Sequence, residues 1–231
     1  MLVEYTLALM MNDVREAAPS VAAFIRMLSG NQLFKGAILC ALLVAAISRT
    51  GLKNNRADNV FIIRSVTAIF TSIFTARLLQ LFLPHRDRPV KLLSDAGISE
   101  FRIMDSSFPS DHAVLMTTIA CIIFARDRTI GIFAAVWAGL IILFPRIYLG
   151  VHHPTDIIGG ILLGMLVWYV VRLLPMPTIS TTFLETLRSK HAALCAFLGF
   201  LFLFLMATNF DGLRMLASYL LLSILGLNMD L

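Results

Sequence analysis

The stretch FPRIYLGVHHPTDIIGG, residues 144–160, sets one arginine, two histidines and an aspartate between two apolar runs. Imidazole is the side chain whose charge changes near neutral pH. His152 and Asp156 are four residues apart. If a helix begins near Pro154, the carboxylate reaches back to one imidazole nitrogen, fixes the tautomer and leaves the other nitrogen free to attack. Two further clusters carry related chemistry: LPHRDRPV at 83–90 and FPSDHA at 108–113. Arg88 and Arg146 are planar, permanently charged forks suited to phosphate oxygens. Ser110 and Asp111 precede an apolar run, where a helix start offers free N–H groups and a partial positive charge to an anion. Together they read as a cationic cradle, a nucleophile with its orienting acid, and a second histidine to protonate a leaving group. That chemistry is phosphoryl transfer, and it needs neither metal nor cofactor. His152 and His153 are adjacent and diverge on any regular backbone, and no H-E-x-x-H or cysteine pattern accompanies them.

The elements that must position these groups are apolar. The chain has 231 residues, 58% hydrophobic and 14% charged, with a net charge of +5. Soluble domains carry about 25% charged residues, so most of this surface is expected to face lipid. A spanning helix needs roughly 20 apolar residues. Candidates lie at 33–48, 60–83, 112–126, 129–146, 155–174, 193–209 and 212–229. The runs are continuous and do not alternate with a period of two, which selects helices over barrel strands. The expected fold is therefore all-α: a polytopic bundle of six to seven spans. Residues 1–32 mix Leu, Met and Phe with Asp13, Arg15, Glu16 and Arg26, the composition of an amphipathic helix on the membrane face. Residues 33–175 then form a catalytic core, and 176–231 add further membrane helices. The start of the chain lacks the basic leader of a cleavable signal.

Connections between the spans divide by charge. Arg49, Lys53 and Arg56 fall in one, Arg126 and Arg128 in another, and Arg172, Arg188 and Lys190 in a third. Alternation puts all three on one side, which the positive-inside rule makes cytoplasmic. The three clusters that carry chemistry then gather at the opposite face. No Lys/Arg run is interleaved with aromatics, which excludes nucleic acid as a partner and leaves the bilayer and an anionic lipid. Cys40, Cys121 and Cys195 each sit in an apolar run and read as small buried hydrophobes. Gly160 and Gly164 form a small-xxx-small pair suited to close helix packing.

In order and spacing, the three clusters resemble the type 2 phosphatidic acid phosphatases, the PAP2 superfamily of membrane lipid phosphatases. The family pattern is K-x6-R-P, then P-S-G-H, then S-R-x5-H-x3-D. Here the third motif runs Arg146, His152, Asp156; the second is Pro109, Ser110, Asp111, His112; the first ends in Arg88–Pro89. The resemblance implies that His152 is the nucleophile forming a phosphohistidine and that Asp156 orients it. It makes His112 the group that protonates the departing oxygen and later activates water. Arg88, Arg146 and the Ser110–Asp111 turn would hold the phosphoryl oxygens.

This sequence departs from the pattern at three positions. Leu81 occupies the place of the lysine, so Arg77, one turn back, or Arg86 is expected to supply that charge. A charge inside a span costs about 2.5–3.5 kcal/mol on insertion scales, so Arg77 is expected to face a polar cavity. Asp111 replaces glycine, as in bacterial relatives that act on undecaprenyl pyrophosphate, and Pro145 replaces serine. The resemblance therefore implies hydrolysis of a phosphomonoester or pyrophosphate on a lipid, leaning towards an isoprenoid pyrophosphate, at the periplasmic or exterior face of a bacterial inner membrane. A lipid phosphotransferase of the same family and a non-catalytic lipid-binding member are the alternatives.

Overall fold

A computed structural model describes residues 2–53, 55–90, 106–212 and 215–216, and all regular structure in them is helical. The helices are α1 (Leu2–Ala17), α2 (Pro19–Gly30), α3 (Leu33–Thr50), α4 (Arg56–Phe82), α5 (Asp111–Arg126), α6 (Arg128–Tyr148), α7 (Pro154–Leu173), α8 (Thr178–Lys190) and α9 (Ala192–Ala207).

Helix α5 is the axis of the bundle. Eleven of its sixteen residues are buried, from His112 to Ile123, and it packs against α3, α4, α6 and α7. Its tightest partner is α7, for which the two glycines are responsible. A Cβ on Gly160 would stand 2.6 Å from the Ala113 Cβ, and one on Gly164 would stand 2.5 Å from the Val114 carbonyl oxygen. Thr118 Oγ1 donates across this seam to the Gly164 carbonyl at 3.3 Å. The small residues at 160 and 164 thus bring the starts of α5 and α7 together, and both starts carry chemistry.

Two local features follow from proline. Pro145 has no N–H to give the preceding turn and its ring crowds that turn's carbonyl. Helix α6 accommodates this by widening over Ala138–Leu143, just before Arg146. At the N-terminus, the expected amphipathic segment is two helices. Ala18 leaves the helical region (φ −135, ψ 68) because the ring of Pro19 disfavours a helical residue before it.

Four helices, α3, α4, α6 and α7, are long and apolar enough to cross a bilayer; a fifth is reached only if α8 and α9, bent by 113°, count as one. Among the described residues the expected count of six to seven is therefore not reached. The candidates at 112–126 and 193–209 appear as 16-residue helices. At 1.5 Å per residue each extends about 24 Å, short of a core about 30 Å thick. The candidate at 212–229 lies almost wholly outside the described residues.

The three basic connections do meet at one end. Arg126 pairs with Asp58 at 2.9 Å and donates to the Gly51 carbonyl; Arg49 pairs with Asp127 at 3.3 Å; Arg188 donates to Asn59 at 3.0 Å. Residues 84–90, the start of α5 and the loop 149–153 gather at the other end.

Candidate active site

Each motif arrives on a defined element. Ser110 caps α5, its Oγ accepting the Ala113 N–H at 3.5 Å, while its own N–H donates to the Asp156 carbonyl at 3.2 Å. That second bond crosses from the start of α5 to the start of α7. The Asp156 carboxylate caps α7 by accepting the His153 N–H at 2.8 Å. After α6 the chain turns at Gly150, whose φ of +70 is the left-handed region glycine adopts without steric cost. The Gly150 carbonyl accepts the Val90 N–H at 2.8 Å, and His153 Nε2 meets the Asp87 carbonyl at 3.2 Å. These two bonds bracket Arg88 and hold its segment against the histidine loop. Arg146 is half-buried, and its carbonyl accepts the N–H of His152 at 3.2 Å.

His152 is 2% exposed. Its Nδ1 lies 3.0 Å from the Ser107 carbonyl, so Nδ1 carries the proton and Nε2 keeps its lone pair. The Asp156 carboxylate stands 3.8 Å from the same Nδ1, beyond hydrogen-bond reach but within charge contact. Ser107 fills the interval: its Oγ donates to Asp156 Oδ2 at 2.5 Å and lies 3.4 Å from His152 Nδ1. The sequence expects a direct aspartate–histidine bond; the structure inserts a serine.

Arg86 and Arg77 lie behind the two histidines. Arg86 donates to Asp156 Oδ1 at 2.8 Å, to Thr155 Oγ1 at 2.8 Å and to Glu4 Oε2 at 2.7 Å. Arg77 donates to Asp111 Oδ2 at 3.1 Å and to Gln80 Oε1 at 2.9 Å. Asp111 uses its other oxygen on His112, accepting from the backbone N–H at 2.8 Å and from ring Nδ1 at 3.0 Å. The carboxylate in the place of the family glycine is thus turned onto an imidazole and neutralised by a guanidinium. Leu81, at the lysine position, is exposed on the outside of α4.

Sequence reasoning missed five contributors. Ser107 lies just outside a motif. Gln80 donates to the Pro109 carbonyl at 2.8 Å and so ties α4 to the start of α5. Asn209, from beyond α9, sets its amide nitrogen 3.1 Å from His112 Nε2. Glu4 brings α1 across the site, accepting from Arg86 and from Thr155 at 2.5 Å. Arg15 adds a bond from α1 to the Tyr148 carbonyl at 2.6 Å. Between α1 and the loop lies a small cleft lined by Glu4, Leu7, Met11, Pro89, His152 and His153. Thr155 holds the Glu4 carboxyl below its ordinary value of 4.5, with Arg86 adding to the effect and partial burial opposing it. Among the described residues, no three His, Cys, Asp or Glu side chains gather as a metal site would require.

Residues 60–180 match a family model described as the PAP2 superfamily. YbjG of Escherichia coli (strain K12), provisionally named an undecaprenyl-diphosphatase, is 32% identical over 118 residues, 48% of this chain and 54% of that protein. The undecaprenyl-diphosphatase BcrC of Bacillus subtilis (strain 168) is 35% identical over 66 residues, 29% of this chain and 34% of its own. An undecaprenyl-diphosphatase of Sulfolobus acidocaldarius is 30% identical over 77 residues, 33% of this chain and 37% of its own. The chain thus spans about half or less of the curated relatives it matches. No solved structure matches it.

Proposed function

The chain belongs to the PAP2 superfamily, and we propose that it is an integral-membrane lipid phosphatase acting on an isoprenoid pyrophosphate such as undecaprenyl pyrophosphate. Two guanidinium–carboxylate–imidazole arrays at the paired starts of α5 and α7 carry the proposal. One runs Arg77, Asp111, His112, and the other runs Arg86, Asp156 and Ser107 to His152. In each, a fixed acceptor takes the Nδ1 proton, which makes Nε2 the nitrogen for chemistry; in His112 that nitrogen also meets the Asn209 amide at 3.1 Å.

The reaction runs in two displacements. His152 Nε2 gives its lone pair to the terminal phosphorus as the bond to the bridging oxygen breaks, and His112 in its protonated form delivers a proton to that oxygen. A water then attacks the phosphohistidine, gives its proton back to His112, and the P–N electron pair returns to His152. The products are the lipid monophosphate and inorganic phosphate. Arg88, on the segment held by the Val90–Gly150 bond, and Arg146, whose carbonyl accepts the His152 N–H, would serve the transferring oxygens as charge spreads over them on this reading. Arg86 and Arg77 act through the carboxylates they hold. No metal enters either displacement.

The basic end of the bundle is the cytoplasmic one on this reading, so the site opens to the periplasm or exterior, with α1 at its rim. The test is phosphate release by the purified full chain from undecaprenyl pyrophosphate, farnesyl diphosphate, phosphatidic acid and phosphatidylglycerophosphate. The expected result is release from the two isoprenoid pyrophosphates. Release from none of the four would overturn the proposal, and release from the glycerolipids alone would overturn its substrate class.

A further inference from the structure

His112 is held from two sides, and the second side lies outside the matched residues 60–180. Asp111 accepts at Nδ1, at 3.0 Å. Asn209 Nδ2 stands 3.1 Å from Nε2, and the Asn209 side chain is buried, with the residue 3% exposed. A carboxylate can only accept, so the ring proton is on Nδ1 and Nε2 presents a lone pair. The amide meets that lone pair with an N–H, the one arrangement in which all three groups are satisfied with a neutral ring.

The chain is bent to bring Asn209 there. Asn209 and Phe210 both adopt left-handed backbone, with φ of 53 and 57. Asparagine tolerates that region, but phenylalanine rarely enters it. The turn is kept by packing: Phe210 is 3% exposed and its ring lies 5.8 Å from Phe70 and 6.4 Å from Phe202. Asp211 meets Gln32 at 3.2 Å, fastening the same turn to the chain ahead of α3. Uncommon backbone at two successive residues, both buried, with one side chain on an imidazole, points to a positional demand rather than to spare polarity.

We infer that Asn209 is a positioning residue for His112: it holds the ring plane from the Nε2 side while Asp111 fixes the Nδ1–H tautomer, and it yields Nε2 to the leaving oxygen and to water when the substrate enters. An amide suits both halves of the reaction. It donates N–H to the bare nitrogen of the resting ring, and as an uncharged group it leaves Nε2 open once the substrate's oxygen displaces it. This rests on the reading of His112 as the acid–base group of the proposed phosphatase. It extends that site to the segment after α9, which no motif reaches.

The test uses the full chain in detergent micelles with 15N-labelled histidine, and farnesyl diphosphate as the turnover probe. The His112 ring signals are those lost in His112→Gln. Asn209→Gly removes the amide and keeps a residue that accepts the positive φ. Asn209→Asp keeps the shape and presents only acceptors. In the wild type, Nε2 should give the signal of a bare nitrogen and Nδ1 that of a protonated one. Asn209→Gly should shift the Nε2 signal, leave the proton on Nδ1, and lower kcat about tenfold, with KM within about twofold. Asn209→Asp should place a proton on Nε2. The inference is overturned if Asn209→Gly keeps both the wild-type ring signals and the wild-type kcat, or if Nε2 remains bare in Asn209→Asp. Where Asn209→Gly does not fold, the Asn209→Asp signals decide alone. Turnover retained in His112→Gln would instead sink the acid–base reading, while the ring signals would still judge the hold of Asn209.

Discussion

Ser107 Oγ donates to Asp156 Oδ2 at 2.5 Å, in the interval that separates this carboxylate from the His152 imidazole 3.8 Å away. The same residue's carbonyl meets the Nδ1 proton at 3.0 Å. The orientation of His152 is thus shared between a main-chain oxygen that no substitution removes and a serine hydroxyl. Ser107→Ala should lower kcat by about three- to tenfold, the value of one hydrogen bond of about 0.5–1.5 kcal/mol, with little change in KM. Steady-state kinetics on farnesyl diphosphate checks this; an unchanged kcat would reduce Ser107 to a cap.

His152→Ala should reduce turnover by at least about 10³-fold, as removal of a nucleophile does, while helicity by circular dichroism stays that of the wild type. Neighbouring His153 is not expected to substitute, because its Nε2 is turned onto the Asp87 carbonyl at 3.2 Å and its other ring nitrogen, Nδ1, is buried. Wild-type turnover in the variant would remove the nucleophile assignment.

Arg77 and Asp111 should behave as a coupled pair. Arg77→Ala removes a guanidinium from the part-buried carboxylate that holds His112, and a fall in kcat of about tenfold or more is expected. Asp111→Gly restores the residue of the family pattern and removes the charge that Arg77 balances. Arg77→Ala should therefore cost less in the Asp111→Gly background than alone. Equal costs in a double-mutant cycle would show that Arg77 acts independently of Asp111.

Gly164 is required by the seam between α5 and α7. Gly164→Leu places side-chain atoms where a Cβ alone would already stand 2.5 Å from the Val114 carbonyl oxygen. A loss of about 1–3 kcal/mol is expected from such overpacking. Thermal unfolding should report it, together with a lower kcat as the two helix starts move apart.

Glu4 gives the docking of α1 a pH dependence of known sign. Its carboxyl is held below the ordinary 4.5, chiefly by the Thr155 hydroxyl. A depressed pKa contributes stability that is complete above the ordinary value and is lost as pH falls through the depressed one. Spin labels on α1 and α7 should keep their separation down to about pH 4.5, and spread apart only below it. Glu4→Gln should abolish the transition. A separation that changes near pH 6 would contradict the assignment.

Most of the side chains that meet at this end of the bundle, the proposed catalytic set, were legible because they lie in local motifs at helix starts. His112 and His152, with Ser110 and Asp156, follow from cap positions and a spacing of four, and alternation of the apolar runs brings them to one end. The partners of the carboxylates were not legible. Glu4 reaches Arg86 from the far end of the chain, and Asn209 reaches His112 across a bent connection. Neither bond leaves a periodic trace. Arg86 and Arg77 were legible as charges but not as partners, since an arginine suits a carboxylate as well as a phosphate. The expected span count is not reached among the described residues because α5 and α9 are as apolar as spans but only sixteen residues long.

The covalent step through His152 is tested most directly by the stereochemical course at the transferred phosphorus. The substrate is an isoprenoid pyrophosphate whose terminal phosphorus is made chiral with oxygen isotopes and a thio substituent, and the purified full chain hydrolyses it in isotopically labelled water. Two successive in-line displacements, first by His152 and then by water, predict phosphate of retained configuration. Inverted phosphate would mean that water attacks the lipid directly, and it would contradict the account.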